Sequence, residues 1–266
     1  MKSTLQLFFI LFLLSIASSF FWSCGKSEVH YVSRGSISGT IKDGANGNVI
    51  SGVVITENID NLNTTSDNSG NFSFSELLPG TRTFTFTHDD YSVQSLELSV
   101  ESKVDSNYSV SLLNSNLSSN VITIVLTWGE TPRDLDSYLY VPTTSSSRTL
   151  VYLSNRGDED RADPPHAYLD RDDTYQYGPE TITVRFLSGS TDYNGTYSYF
   201  VNKYSSTGDF KDSNAIVRVY KDGSFIREWK ASTTATEKYW LVFDMASDGT
   251  LTSQDTYSDT IPSALY

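Results

Sequence analysis

The sequence predicts an all-β protein of two consecutive β-sandwich domains, and three observations carry that expectation. Short segments alternate apolar and polar residues with a period of two, as in Asn71-Phe-Ser-Phe-Ser75 and Thr83-Phe-Thr-Phe-Thr87. Composition favours Ser, Thr, Tyr and Phe over the long unbranched residues that fill helices. Beyond the N-terminal segment, no apolar run at helical spacing stands out. At 266 residues the chain exceeds what one small sandwich needs.

Residues 1–24 read as an address. Lys2 supplies a basic start, Leu5 to Ala17 an apolar stretch, and Ser23 a small residue before Cys24. Cys24 is the only cysteine, so no intramolecular disulfide is expected. Its position suits diacylation of the thiol, and Phe21-Trp22-Ser23-Cys24 resembles a relaxed bacterial lipobox with Phe21 and Trp22 in place of leucine and a small residue. The resemblance implies a membrane-anchored lipoprotein of the bacterial cell envelope, with lipidation at Cys24 and the membrane face undecided. Two alternatives stand beside it. Residues 5 to 22 come close to the roughly 18 residues of an uncleaved spanning anchor, and cleavage elsewhere would leave a free thiol.

After a tether over residues 25–34, residues 35–112 read as a chain of short strands. They are expected at Ser36 to Lys42, Val49 to Thr56, Asn71 to Ser75, Thr83 to Thr87, Ser92 to Val100 and Asn107 to Leu112. Asp67-Asn-Ser-Gly-Asn71 and Leu78-Pro-Gly-Thr81 are turns, and this spacing suggests a small Greek key. Residues 113–120 form a polar linker. A second β-unit spans 121–253, with strands near Val121 to Trp128, Leu135 to Val141, Thr149 to Ser154 and Thr181 to Leu187. Four more fall near Thr196 to Asn202, Ala215 to Tyr220, Phe225 to Trp229 and Tyr239 to Asp244. Lys221-Asp-Gly-Ser224 is a hairpin turn. Trp128, Trp229 and Trp240 sit in apolar patterns and belong to the core. The tail over 254–266 has no strong pattern.

The first unit resembles a carboxypeptidase regulatory-like domain. The residues that carry the likeness are Gly35-x-Ile-x-Gly-Thr-Ile41, Gly52-Val-Val-Ile55, Gly70-Asn-Phe-Ser-Phe74 and Leu78-Pro-Gly80. Arg82-Thr83 replaces the tyrosine that often follows the Pro-Gly turn. The resemblance implies a prealbumin-like sandwich that serves as a spacer or folding aid without peptidase activity.

The chemistry concentrates in two acidic segments. Asp134 and Asp136 lie two residues apart behind Pro132, and Asp170 and Asp172 repeat that spacing before Asp173 and Glu180. Residues 156 to 180 hold eight acids against three arginines, so the net charge of −13 is concentrated rather than scattered. Like charges crowd cheaply only around a cation. In an extended strand, i and i+2 share a face, so each pair would bind one ion together; Asp173 would point elsewhere unless the chain bends. Gly178-Pro179 would turn Glu180 back toward them. Calcium fits a set of six to eight flexible oxygens, and we expect Asp134, Asp136, Asp170, Asp172, Asp173 and Glu180 to supply them. The opposing expectation is that Asp134 caps a turn and the rest are solvated loop acids. Zinc is disfavoured, because His30, His88 and His166 fall in three separate regions. The spacing is not an EF-hand. The acidic balance argues against nucleic acid as a partner.

The second unit resembles the bacterial YfaP-type domain, a domain of exported proteins with no established activity. The likeness rests on Leu126-Thr-Trp-Gly129, Asp134-Leu-Asp-Ser-x-Leu139, Ala167-Tyr-Leu-Asp-x-Asp-Asp173 and Tyr177-Gly-Pro-Glu-Thr181. Relatives commonly carry histidine where this chain has Tyr138, so only an all-oxygen metal scheme carries over. No G-x-S-x-G nucleophile turn occurs. The expectation is therefore a non-enzymatic surface or periplasmic protein whose second domain binds calcium and a protein partner, with adhesion sandwiches as a fold-level analogy only. The alternative is a carbohydrate-binding module with Tyr175 and Tyr177 as ligand-stacking residues. Third is a hydrolase using an acidic pair.

Overall fold

The computed structural model describes residues 32–115, 120–144, 147–160, 165–186 and 195–262. The chain divides into two compact units, Met1–Val32 and Ser33–Tyr266. The first lies almost wholly outside the described residues, and with it the expected address segment, most of the tether and Cys24. Among the described residues the protein is nearly all β, with strands grouped in sheets that form two sandwiches.

In the first sandwich, β1 (Gly35–Asp43) is flanked by β4 (Asn71–Leu77), antiparallel, and by β7 (Asp105–Leu112), parallel. The facing sheet runs β3 (Leu62–Thr65), β2 (Val54–Glu57), β5 (Gly80–His88) and β6 (Tyr91–Val100). The period-two pattern sends Ile37 and Ile41 from one sheet and Phe84 and Phe86 from the other into one core. Phe72 meets Phe86 edge to face at 5.7 Å. The expected strand from Val49 begins only at Val54, because Gly52 takes a positive φ of 78° and breaks the extended run. Arg82, the residue that departs from the family pattern, is buried against Glu57 at 3.0 Å and Asp60 at 2.8 Å.

The second sandwich stacks two five-stranded sheets. One runs β10 (Ser147–Val151), β9 (Leu135–Thr144), β13 (Tyr197–Lys203), β16 (Tyr239–Met245), β17 (Leu251–Ser258). The other runs β11 (Ala167–Arg171), β12 (Glu180–Arg185), β8 (Val121–Thr127), β14 (Ile216–Lys221), β15 (Ser224–Lys230). β8 is central and buried along its whole length, which explains its largely apolar sequence, broken only by Thr123 and Thr127. Trp128, Trp229 and Trp240 lie in the core, and both Tyr197 and Tyr199 are buried. A single-turn helix, α1 (Phe210–Ser213), seats Phe210 against Trp240 and Tyr257.

Strand pairing continues past Ser253, where the sequence pattern weakens. β17 holds its place through Tyr257, which stacks on Trp240 at 5.9 Å, and Asp255, whose carboxylate accepts the Trp240 indole N–H at 2.8 Å. Between the sandwiches, Leu113 is buried in a small cluster with Val125 and Tyr220 rather than lying in open linker; residues 116–119 of that segment are outside the described residues.

Candidate metal centre

Three backbone features converge on one end of the second sandwich. Pro132, preceded by a cis peptide, is buried and brings Asp134 to the threshold of β9. Asp136 lies within β9, paired in register with Asn202 on β13, and Asn202 Nδ2 donates to Asp136 Oδ2 at 2.9 Å. Glu180 opens β12 directly after the cis Gly178–Pro179 bond. Gly178 has a φ of 68°, and a Cβ there would lie 2.7 Å from the Trp128 ring, so this turn demands glycine.

Asp134, Asp136 and Glu180 each offer an oxygen, and these oxygens lie within 4.8 Å of one another. All three residues are buried, Glu180 completely at 0 % exposure. One Glu180 oxygen, Oε2, accepts the Ser137 backbone N–H at 2.5 Å. The other, Oε1, is buried and unpartnered, as are Asp134 Oδ1, Asp172 Oδ1 and Asn202 Oδ1. Asn202 is 4 % exposed. Buried acceptors without donors are costly and rare, each losing its hydration with nothing in return.

The electrostatics show the same crowding. Burial pushes the Asp134 carboxyl up to about 6, reinforced by Asp172 and Asp173 against the opposing pull of Arg133. Burial raises Asp136 to about 7, with the Asn202 hydrogen bond opposing and the Asp134 and Asp172 charges adding to the rise. Burial and then the Asp136 charge drive Glu180 well above the usual carboxylate range. Asp172 acts on all three, which puts a fourth carboxylate within electrostatic reach of the cluster. Tyr138, at the histidine position of the YfaP-type likeness, is raised to about 12 by burial and then by the Asp136 charge.

The structure brings Asp134, Asp136 and Glu180 together with Asp172 nearby, and treats the other expected ligands differently. Asp173 is paired with Arg171 at 2.8 Å and accepts the Tyr175 N–H at 3.2 Å. Asp170 lies on β11 beside a register shift and its carbonyl accepts from Arg156 at 3.3 Å. Tyr175 is exposed, with the Arg133 guanidinium over its ring at 4.9 Å. Tyr177 has a positive φ of 65°, and its amide N–H donates to the Gly129 carbonyl at 3.1 Å. Asn202 is the residue that motif reading missed: it lies in an ordinary strand, and only its cross-strand register places it beside Asp136.

Residues 36–113 match the family model for the carboxypeptidase regulatory-like domain, and the first sandwich is that domain. No curated protein matches the chain in sequence. Among solved structures, it is similar to SAV2460, a protein of unknown function, with a TM-score of 0.44 and 16 % identity over 55 % of this chain and 94 % of that one. It is similar to a homologue of the telluride resistance protein TerD from Streptomyces coelicolor A3(2), with a TM-score of 0.42 and 15 % identity over 55 % of this chain and 94 % of that one. A candidate carbohydrate-binding protein from Bacteroides uniformis gives 0.27 and 12 % identity over 71 % of this chain and 99 % of that one. At these scores the likenesses carry no functional assignment.

Proposed function

We propose that the second sandwich is a calcium-binding module of a non-enzymatic cell-envelope protein, and that the ion fixes its acidic segments for contact with a partner protein. One observation carries this reading. Oxygens of the buried Asp134, Asp136 and Glu180 lie within 4.8 Å of one another, and Asp134 and Glu180 each keep an oxygen without a donor. Asn202, bonded to Asp136, carries a further one, and the Asp172 charge acts on the group. A hard cation would satisfy all of them at once, and a donor set of carboxylate and amide oxygens suits calcium better than zinc. Magnesium demands a tighter octahedron and keeps several waters.

A hydrolytic pair fits this geometry less well. Glu180 is wholly buried and one of its oxygens is occupied by the Ser137 N–H, so it has no path to a substrate. The anchoring half of the proposal rests on Cys24 as a lipidated residue, with the regulatory-like domain holding the second sandwich off the membrane. Among the described residues, no helix is long and apolar enough to cross a membrane, which leaves a β-barrel span unaddressed. The YfaP-type likeness of residues 121–253 belongs to the same proposal.

Calcium titration with a magnesium control tests it: binding specific to calcium and lost in Asp136→Asn with Glu180→Gln supports the reading, and heat-free titrations with both ions refute it.

A second reading has its own observation. On the sheet that carries Asp136, Tyr138 and Tyr140 pack half-buried on Phe200 at 5.2 Å and 5.5 Å, and Tyr152 packs on Tyr138 at 5.1 Å. Such a tyrosine face suits sugar stacking better than Tyr175, which Arg133 covers. Glycan binding lost in Tyr140→Ala, with Tyr175→Ala unaffected, would move the carbohydrate reading first.

A further inference from the structure

The regulatory-like domain touches the segments that flank the candidate metal centre. Lys42, near the end of β1, donates from Nζ to the Gly178 carbonyl at 2.6 Å. Gly178 begins the turn that delivers Glu180. One residue past Glu180, the Thr181 hydroxyl donates to the Gly44 carbonyl in the loop after β1. Beyond Asp170, Arg171 donates from one guanidinium nitrogen to the Asn46 carbonyl at 3.2 Å, and from another to Asp173 at 2.8 Å. The plane of that guanidinium lies so close to Gly47 that a Cβ there would sit 2.2 Å from Arg171 Nε. Three contacts from the end of β1 and the loop after it therefore land on the two segments that carry Asp172 and Glu180.

The loop that makes these contacts is itself well held. Asp43 is buried, its Oδ1 accepts the Ala45 N–H at 2.8 Å, and its Oδ2 accepts the Tyr91 hydroxyl at 2.9 Å. The Gly44 N–H donates to the Leu112 carbonyl at 2.8 Å and the Gly47 N–H to the Asp43 carbonyl at 2.7 Å. A rigid element bonded on both sides of a ligand, here to the Gly178 carbonyl and to the Thr181 hydroxyl, fixes that ligand's position, as partners behind a metal site do for its ligands.

We infer that the regulatory-like domain is a positioning part of the metal centre, with Lys42 and the Gly44 carbonyl holding the Gly178–Thr181 segment so that Glu180 faces Asp134 and Asp136. The inference rests on the calcium reading. It makes the two sandwiches one binding unit, and linkage then requires that calcium in turn tighten the docking of the loop over residues 43–47.

The experiment uses the whole protein. Calcium affinity is measured by chelator competition for the unaltered chain and for Lys42→Met, Lys42→Arg, Thr181→Val and the Lys42→Met/Thr181→Val pair. The pair is expected to weaken calcium about tenfold or more, the range found when partners behind metal ligands are lost. Lys42→Arg keeps a donor and is expected to recover most of the loss of Lys42→Met. Hydrogen exchange on the unaltered chain supplies a readout that needs no variant to fold: calcium should slow exchange at Gly44 and Gly47. An unaltered calcium affinity in the pair, or exchange at Gly44 and Gly47 indifferent to calcium that demonstrably binds, overturns the inference and leaves the metal centre standing. Absence of calcium binding by the unaltered chain overturns both.

Discussion

Asn202 and Asp136 face each other across β13 and β9, and the Asn202 amide donates to Asp136 Oδ2 at 2.9 Å while its own carbonyl oxygen finds no donor. The bond fixes which way the amide points. Asn202 Oδ1 is left buried without a donor, so the residue steadies one acid and, under the calcium proposal, has a neutral oxygen to spare.

Replacing Asn202 tests that double role. Asn202→Leu removes the donor to Asp136 and the spare oxygen together, and calcium affinity is expected to fall at least tenfold by titration calorimetry. Asn202→Asp keeps an oxygen but adds a fifth carboxylate to the neighbourhood. In chelator it should lower the melting temperature, because another buried like charge is uncompensated there.

Glu180→Gln should separate stability from binding. In the metal-free protein it removes a carboxyl that burial and Asp136 hold well above its usual range, and with it the cost of keeping that group protonated near neutral pH. The melting temperature in chelator near pH 7.5 should therefore rise, while the calcium-dependent increment disappears. A fall in chelator would mean that Glu180 is stabilised by something other than a cation.

The pH dependence has a definite sign. The Asp136 carboxyl sits at about 7 and Asp134 at about 6 in the folded protein, against 3.8 for an ordinary aspartate. Folded-state values above the unfolded ones mean that the native protein binds more protons through this window. Metal-free stability should accordingly decline as pH rises from about 5 to about 7.5. Calcium needs the deprotonated acids, so its stabilising increment should grow over the same window, with protons released on binding near pH 6. Thermal melts at several pH values, with calcium and with chelator, show whether the two slopes diverge.

The fold was more legible than the site because strand alternation is local and ligand convergence is not. Ile37, Ile41, Phe72, Phe74, Phe84 and Phe86 announce their buried faces through neighbours two residues away. β3 escaped detection because Leu62–Thr65 is a polar edge strand with no buried position. β11 is only five residues long and runs straight into the acidic segment after it, so it carries little alternation of its own. β17 lacks alternation because it is an edge strand held by its pairing with β16 and by contacts of single residues, among them Tyr257 on Trp240, Asp255 on the Trp240 indole N–H and Ser253 on that of Trp229. Within the site, the Asp134–Asp136 spacing and the Gly178-Pro179 turn were readable. The pairing of Asp173 with the Arg171 guanidinium two residues away is not signalled by the acidic motif itself. No sequence signal links Lys42 to Gly178, since their contact spans 136 residues.

The first domain offers a prediction independent of any ion. Arg82 and Glu57 are a buried pair, and Glu57 also accepts the Ile59 and Asp60 N–H groups. Arg82→Met leaves Glu57 buried with its charge unmatched, and the expected loss is about 3–5 kcal/mol. Adding Glu57→Gln to Arg82→Met should recover part of it. Denaturant unfolding of both variants gives the comparison.

The most direct test of the central claim is thermal unfolding of the protein in calcium, in magnesium and in chelator, beside the Asp136→Asn/Glu180→Gln variant. Calcium at about 100 times its dissociation constant should add about 2.7 kcal/mol to the native state, a shift of several degrees. The account predicts that rise in calcium, a smaller one in magnesium, and none in the variant. Identical melting temperatures in all three conditions would contradict it and leave Asp134, Asp136 and Glu180 as a buried cluster that holds its protons instead of an ion.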